Sequence, residues 1–327
     1  MINKVTVFGA GVWGSVLAQH IAKQGREVVI WEYYEHLVNK INEDGGKHPN
    51  IPGFRFRHDI KITRDLPAAL EETDLMLLVI SSKGVRSLMR ELHAPLNGRA
   101  VPLISAAKGI EEESFKTLTE VIEQEMPSLK NMVMAFSGPS FALEVAHSMP
   151  TKILLAGPNP ALLERSAKVF NAYPISVELS GDPLGVQWAG AVKNVLAIAC
   201  GVVEGLGKTI NTKAALITLA MREMHDVIIA AGGQPETVYG LAGLGDFILT
   251  GTSHLSRNTR LGIKLGQGKT LTQARGEITT VTEGADSVES IYAFVTQKNI
   301  KAPVITAVHD IIRRGSPPET VLHALGF

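Results

Sequence analysis

Short apolar runs with strand character recur at residues 5–8, 28–31, 75–80, 101–104 and 132–136, and segments of helical spacing, such as 114–125, separate most of them. Strand and helix in alternation predict a parallel sheet covered by helices. The run 75–80 is apolar throughout rather than at every second position, the pattern of a strand buried on both faces. Two further strands at 152–156 and 175–179 would carry the sheet to about residue 180. After Ser180-Gly181-Asp182-Pro183 the texture changes. Residues 186–203, 212–232, 258–265, 284–298 and 304–313 all follow a helical period, with no strong strand signal among them. The pattern predicts an α/β protein, with a parallel-sheet domain over 1–182 followed by an all-helical domain over 183–327.

The first strand-to-helix junction carries the most specific signal. Gly9-Ala10-Gly11-Val12-Trp13-Gly14 follows the first apolar run directly and opens a helical pattern over 16–23. Glycines at this spacing let the chain turn tightly, let backbone approach a pyrophosphate, and let the helix pack closely on the sheet. The free N–H groups of the helix start complement phosphate charge. Glu32 ends the second strand, 18 residues beyond Gly14, about where a carboxylate meets the adenosine ribose of a bound dinucleotide. The first domain is therefore expected to be of the Rossmann type. Ligands bind beyond the carboxyl ends of such strands, which places the Gly9 loop, Ser81-Ser82, Lys108-Gly109 and Ser137-Gly138-Pro139 on one rim.

Composition narrows the classes. The 327 residues suffice for two domains, and 32 Lys plus Arg balance 32 Asp plus Glu, so no overall field favours nucleic acid or an anionic membrane. The single cysteine, Cys200, lies in an apolar helical run and forms no internal disulfide, as expected of a cytoplasmic protein. The first strand begins within four residues of Met1, which leaves no room for a signal peptide. The apolar stretch 189–203 is short for a membrane span and contains Lys193, so no membrane insertion is expected. The histidines are scattered without the spacing of metal ligands, and no metal is expected.

Several polar residues stand where chemistry is possible. Lys193-Asn194 interrupts an otherwise apolar helix. Burial, or a nearby cation such as Lys108, would depress the lysine pKa and make it an acid–base group near neutrality, whereas a lysine snorkelling to solvent would keep its ordinary value. Lys108 follows the 101–104 strand, where it either holds an anion or is a solvated loop residue. Ser256-Arg257-Asn258 precedes a helix; an arginine fork and a helix N-terminus suit a phosphate, and the same residues suit simple capping. Asp246, at the end of the glycine-rich stretch 239–246, would orient Lys193 by charge or cap the next helix.

Taken together, Gly9–Gly14, Ala107-Lys108-Gly109, Ser137-Gly-Pro-Ser-Phe-Ala-Leu-Glu-Val145 with Pro150-Thr151, Gly190-Ala-Val-Lys-Asn-Val195, Ala242-Gly-Leu-Gly-Asp246, Ser256-Arg-Asn258 and Glu283-Gly284 resemble the bacterial type of NAD(P)-dependent glycerol-3-phosphate dehydrogenase. The resemblance covers nearly the whole chain. It implies an oxidoreductase that reversibly reduces dihydroxyacetone phosphate to sn-glycerol 3-phosphate with NAD(P)H, supplying phospholipid synthesis in the cytoplasm, as a homodimer. It implies Lys193 as the proton donor and acceptor, supported by Lys108, Asn194, Asp246 and Thr250. Substrate contacts would come from Lys108, Gly138, Ser140, Lys193, Asp246, Ser256, Arg257 and Asn258. Cofactor contacts would come from Gly9, Gly11, Val12, Trp13, Gly14, Glu32, Tyr33, Lys108, Ala142, Arg257, Val281 and Glu283.

Three positions depart from the family pattern: Val12 for a serine or threonine, Ser81 for a proline and Leu219 for an arginine. Glu32 is also unusual there, and a carboxylate facing the ribose favours NADH over NADPH. If it points away, Tyr33 and Tyr34 would stack on adenine and admit both. The competing readings are a dehydrogenase of the β-hydroxyacid or ketopantoate type, against which Ser137–Val145 and Ser256–Asn258 argue, and a catalytically silent nucleotide sensor, which would need no Lys193, Asn194 or Asp246.

Overall fold

The computed structural model describes residues 1–112, 114–278 and 282–327. The chain divides into two compact units, Met1–Ala107 with Leu118–Pro183, and Lys108–Thr117 with Leu184–Phe327. The segment Lys108–Thr117 lies within the stretch that sequence assigns to the first domain, yet its contacts belong to the second unit.

In the first unit the described strands are β1 (Lys4–Phe8), β2 (Glu27–Trp31), β3 (Lys61–Thr63), β4 (Leu75–Leu78), β5 (Leu103–Ser105), β6 (Val133–Ser137), β7 (Thr151–Ala156) and β8 (Ile175–Ser180). They form one sheet in the order β3-β2-β1-β4-β5-β6-β7-β8, parallel except where β7 runs antiparallel to β6. The helices between them are α1 (Val12–Ala22), α2 (Glu35–Glu43), α3 (Leu66–Leu70), α4 (Val85–Leu96), α5 (Leu118–Glu125), α6 (Ala142–Ala146) and α7 (Pro160–Ala167). On β4, Leu75 and Leu77 join one apolar cluster with Val16, Leu17 and Ile21 of α1. Met76 and Leu78 join another with Leu88, Met89 and Leu92 of α4. Both faces of the strand are thus covered, which is why its apolar run does not alternate.

Three local expectations shift. Strand β3 is three residues long and only partly buried, too brief to leave a periodic signal. The helix expected over 114–125 starts at Leu118, because Ile110 and Thr117 pair in an isolated bridge before it. Helix α1 starts at Val12 rather than 16, with Gly11 as its N-cap. The strand order reverses direction between β1 and β4, and the crevice at that reversal is where open α/β sheets bind ligands.

The described helices of the second unit are α8 (Pro183–Gly205), α9 (Ile210–Ala230), α10 (Pro235–Tyr239), α11 (Asp246–Thr252), α12 (Arg257–Gly266), α13 (Leu271–Gly276), α14 (Glu283–Gln297), α15 (Pro303–His309) and α16 (Thr320–Ala324). Helix α8 is its core. Its 23 residues are long and apolar enough to cross a membrane, but its most apolar window is entirely buried within the protein. Helices α8 and α12 meet backbone to backbone at glycines four residues apart on each: a Cβ on Gly201 would lie 2.1 Å from Thr259 O, and one on Gly262 2.0 Å from Ile198 O. Gly205 and Gly266 repeat the contact one turn on, with hypothetical Cβ atoms 2.2 Å from Ile263 O and 2.4 Å from Val202 O.

Candidate active site

The glycine loop of the first unit is shaped for a dinucleotide. Gly9 has φ +104°, and a Cβ there would lie 2.6 Å from Val79 O at the end of β4. A Cβ on Gly14 would strike Gly9 O at 2.1 Å, so the loop and α1 can close only around glycine. Around Gly11, by contrast, a Cβ would meet nothing within 4 Å, which leaves the backbone at the helix start open to approach. These are the three separate roles that pyrophosphate binding requires, and the residues fit the group. Val12 and Trp13, half-buried, form the first turn of α1.

Glu32 takes a position that the sequence left open. It is 5% exposed, and its carboxylate turns into the loop, accepting the Ala10 N–H at 2.6 Å and the Tyr34 N–H at 3.0 Å. The outer flank belongs to Tyr33 and Tyr34, 61% and 59% exposed, whose rings meet edge to face at 5.4 Å. On the β6 side, Gly138 adopts φ +139°, Ser140 Oγ donates to Gly138 O at 3.1 Å, and Ala142 opens α6.

The second unit holds the titratable cluster. Lys193 is 6% exposed in the middle of α8, and its ammonium donates to Asp246 Oδ1 at 2.9 Å and to Thr250 Oγ1 at 2.6 Å. Lys108 donates to the other oxygen, Asp246 Oδ2, at 2.7 Å. The charge-pairing reading of Asp246 is realised, since it joins two lysines, and the capping reading is not: Asp246 is the first residue of α11, Gly245 stands at the N-cap, and no side chain caps that end. Burial pulls the Lys193 ammonium down from its usual range to about 8; Asp246 opposes that fall and Lys108 adds to it. Burial pushes the Asp246 carboxyl up, but the two ammonium groups prevail and hold it below the usual range. The snorkelling alternative for Lys193 fails, since the head as well as the stem is enclosed.

A second network adjoins the first. Asn194 Nδ2 donates to Glu283 Oε2 at 3.2 Å, Asn258 Nδ2 donates to Asn194 Oδ1 at 3.0 Å, and Gly284 N donates to Asn258 Oδ1 at 3.1 Å. The ring closes through the Glu283-Gly284 peptide and ties α8, α12 and α14 together. Asn258 thus has one amide hydrogen left for a ligand. Ser256 caps α12, its Oγ accepting the Thr259 N–H at 3.2 Å, as the capping alternative requires. Arg257, the first residue of α12, is exposed at the same helix start. Thr259 Oγ1 donates to Thr250 O at 2.6 Å and links the two networks.

The structure thus brings Lys108, Lys193, Asn194, Asp246, Thr250, Ser256, Arg257, Asn258 and Glu283 into one unit, and keeps Gly9, Gly11, Val12, Trp13, Gly14, Glu32, Tyr33, Gly138, Ser140 and Ala142 in the other. Val281 lies outside the described residues. Sequence reasoning missed the ring around Asn194 and the glycine seam. Only the seam left a signal, in the four-residue spacing of Gly201 and Gly205 and of Gly262 and Gly266.

Residues 4–163 match the family model for the N-terminus of NAD-dependent glycerol-3-phosphate dehydrogenase, and residues 182–323 match that for its C-terminus. The chain belongs to that dehydrogenase family. A glycerol-3-phosphate dehydrogenase [NAD(P)+] of Geobacter sp. (strain M21) is 38% identical over 99% of this chain and 97% of its own length. One from Fusobacterium nucleatum is 36% identical over 94% of this chain and 92% of its own. The crystal structure of the Coxiella burnetii glycerol-3-phosphate dehydrogenase superposes with a TM-score of 0.94 at 32% identity, covering 100% of this chain and 99% of that one. The enzyme is an oxidoreductase, an NAD(P)-dependent glycerol-3-phosphate dehydrogenase, with a Rossmann-type sheet and a helical C-terminal part.

Proposed function

We propose that the enzyme reduces dihydroxyacetone phosphate to sn-glycerol 3-phosphate, reversibly, with Lys193 as the general acid and base. One observation carries the reading: a lysine buried in an apolar helix, paired with Asp246 and Thr250, and poised near pH 8. A bound reduced nicotinamide supplies the two electrons and the carbon-bound hydrogen. Two of the Lys193 N–H bonds are committed to Asp246 and Thr250, which aims the third along a fixed direction. As negative charge grows on the substrate oxygen, that N–H stabilises it; the O–H bond forms, the N–H bond breaks, and neutral Lys193 remains. In the oxidative direction neutral Lys193 takes the proton back. Lys108 lowers the cost of losing that proton, and Asp246 lowers the cost of holding it.

Arg257 and the free N–H groups of the α12 start bind the phosphate, and Asn258 adds its remaining amide hydrogen. Phosphate binding remote from the reacting carbon aligns the carbonyl with Lys193. The Glu32 carboxylate is held inside the glycine loop by the Ala10 and Tyr34 N–H groups rather than turned away from it, and a carboxylate there disfavours a 2′-phosphate, so NADH is preferred over NADPH. Glycerol 3-phosphate is the backbone of phospholipids, and the reductive direction would supply it.

The test follows reduced-nicotinamide absorbance with dihydroxyacetone phosphate, using NADH and NADPH in parallel and unphosphorylated dihydroxyacetone as control. Expected are phosphate-dependent oxidation, faster with NADH, and turnover lost in Lys193→Met with NADH binding intact. Unchanged turnover in K193M would remove Lys193 from the chemistry, and equal rates with both cofactors would remove the role given to Glu32.

A further inference from the structure

Ala10, at the centre of the glycine loop, is gripped on both of its peptide groups. Its N–H donates to Glu32, as described above, and its carbonyl accepts from His48 Nε2 at 2.9 Å and from Ser15 Oγ at 3.1 Å. Ser15 belongs to α1 itself, but His48 enters from the irregular segment after α2, 38 residues away in the chain. The Asn50 N–H donates to His48 Nδ1 at 3.1 Å, which fixes the tautomer: Nδ1 carries no proton, so Nε2 does and is the donor. The ring is 4% exposed and stands edge to face against Phe54 and Phe56, with centroids at 6.4 and 6.2 Å. Burial lowers the His48 pKa, consistent with a neutral ring.

The carbonyl of Ala10 and the N–H of Gly11 share one planar trans peptide and point to opposite sides of it. Whatever holds the oxygen therefore aims the N–H. The held oxygen faces inward to His48 and Ser15, so the Gly11 N–H faces away from them, at the helix start whose surroundings are open beyond Gly11. We propose that His48 is a positioning residue for the dinucleotide: its hydrogen bond to Ala10 sets the plane of the Ala10–Gly11 peptide and so orients the amide that meets the pyrophosphate. This rests on the reading of the glycine loop as the dinucleotide site. The selectivity is stated by the chemistry, since any ligand presenting a pyrophosphate to this loop gains from the same orientation.

The experiment measures NADH affinity of the full chain by fluorescence titration, with KM for NADH, KM for dihydroxyacetone phosphate, kcat at saturating NADH, and Tm. His48→Phe keeps the packing against Phe54 and Phe56 but removes the donor, and His48→Asn keeps polarity but shortens its reach. His48→Gln keeps an N–H donor at comparable reach. For a hydrogen bond of ordinary net strength the NADH dissociation constant and KM rise about three- to tenfold in H48F and H48N. In both, kcat and the KM for dihydroxyacetone phosphate stay within about twofold, and H48Q recovers most of the affinity. NADH binding as tight as wild type in both H48F and H48N overturns the proposal. So does H48Q binding no better than H48F and H48N, or a loss spread equally over both substrates. If H48F does not fold, H48N and H48Q decide alone. Wild-type protein that binds no NADH would overturn the loop assignment, and this inference with it.

Discussion

Replacing Asp246 by asparagine tests the electrostatics of the site most directly. The change keeps the size of the side chain and removes the charge that lies 2.9 Å from the Lys193 nitrogen and 2.7 Å from that of Lys108. Two unit charges 2.9 Å apart attract by about 1.4 kcal/mol at a dielectric constant of about 80, and by about 5.7 kcal/mol at about 20. At about 1.36 kcal/mol per unit, Lys193 should lose between about one and four pKa units. Lys108 stays behind as an uncompensated cation and pushes in the same direction. In the mechanism proposed above the reductive reaction uses protonated Lys193, so wild-type kcat/KM for dihydroxyacetone phosphate should fall as pH rises through about 8. In Asp246→Asn the falling limb should move down to about pH 7 or below. The oxidative reaction needs the neutral amine, so its rising limb should move the same way. Removing one partner of a buried charge group also costs about 3–5 kcal/mol of stability, so circular dichroism and Tm must establish that the profile is that of folded protein. An unshifted limb, or one displaced upward, would refute the assignment of Lys193 as the titrating acid held by Asp246.

Two further outcomes are expected. Arg257→Ala should raise the KM for dihydroxyacetone phosphate about ten- to a hundredfold, as loss of a charged hydrogen bond to phosphate does, while any turnover of unphosphorylated dihydroxyacetone stays unchanged; steady-state kinetics on both substrates decides this. Gly262→Ala places a methyl 2.0 Å from Ile198 O, a backbone atom of α8 that cannot step aside, so thermal unfolding should show a Tm lower by several degrees; an unaltered Tm would mean that the helices can part freely.

The elements with long apolar runs were legible in the sequence because burial on two faces leaves no other pattern: β4 and α8 are the clearest. Lys193 was legible for the opposite reason, as a charge in the midst of such a run. What could not be read is partnership across the chain. Nothing near Lys108 announces that it would share Asp246 with Lys193, 138 and 53 residues from it respectively. The direction of Glu32 depended on two backbone N–H groups, those of Ala10 and Tyr34, and on the fold that presents them. His48 left no motif at all: a lone histidine in an irregular segment acquires its role only when that segment closes over the loop.

The seam between α8 and α12 has a consequence for which molecules the enzyme accepts. Lys193 rides on one helix and Arg257 heads the other, and between them the two backbones touch through Gly201, Gly205, Gly262 and Gly266 with no side chain interposed. Such a joint leaves no side chain to repack between the helices, so, on the roles proposed for Lys193 and Arg257, main chain sets the spacing of the two helices that carry them. On that reading the pair of helices would work as a caliper with its jaws pinned, set for one length of phosphorylated ketone. Retuning the enzyme to another chain length would begin at four glycines, none of which carries a side chain to offer the substrate.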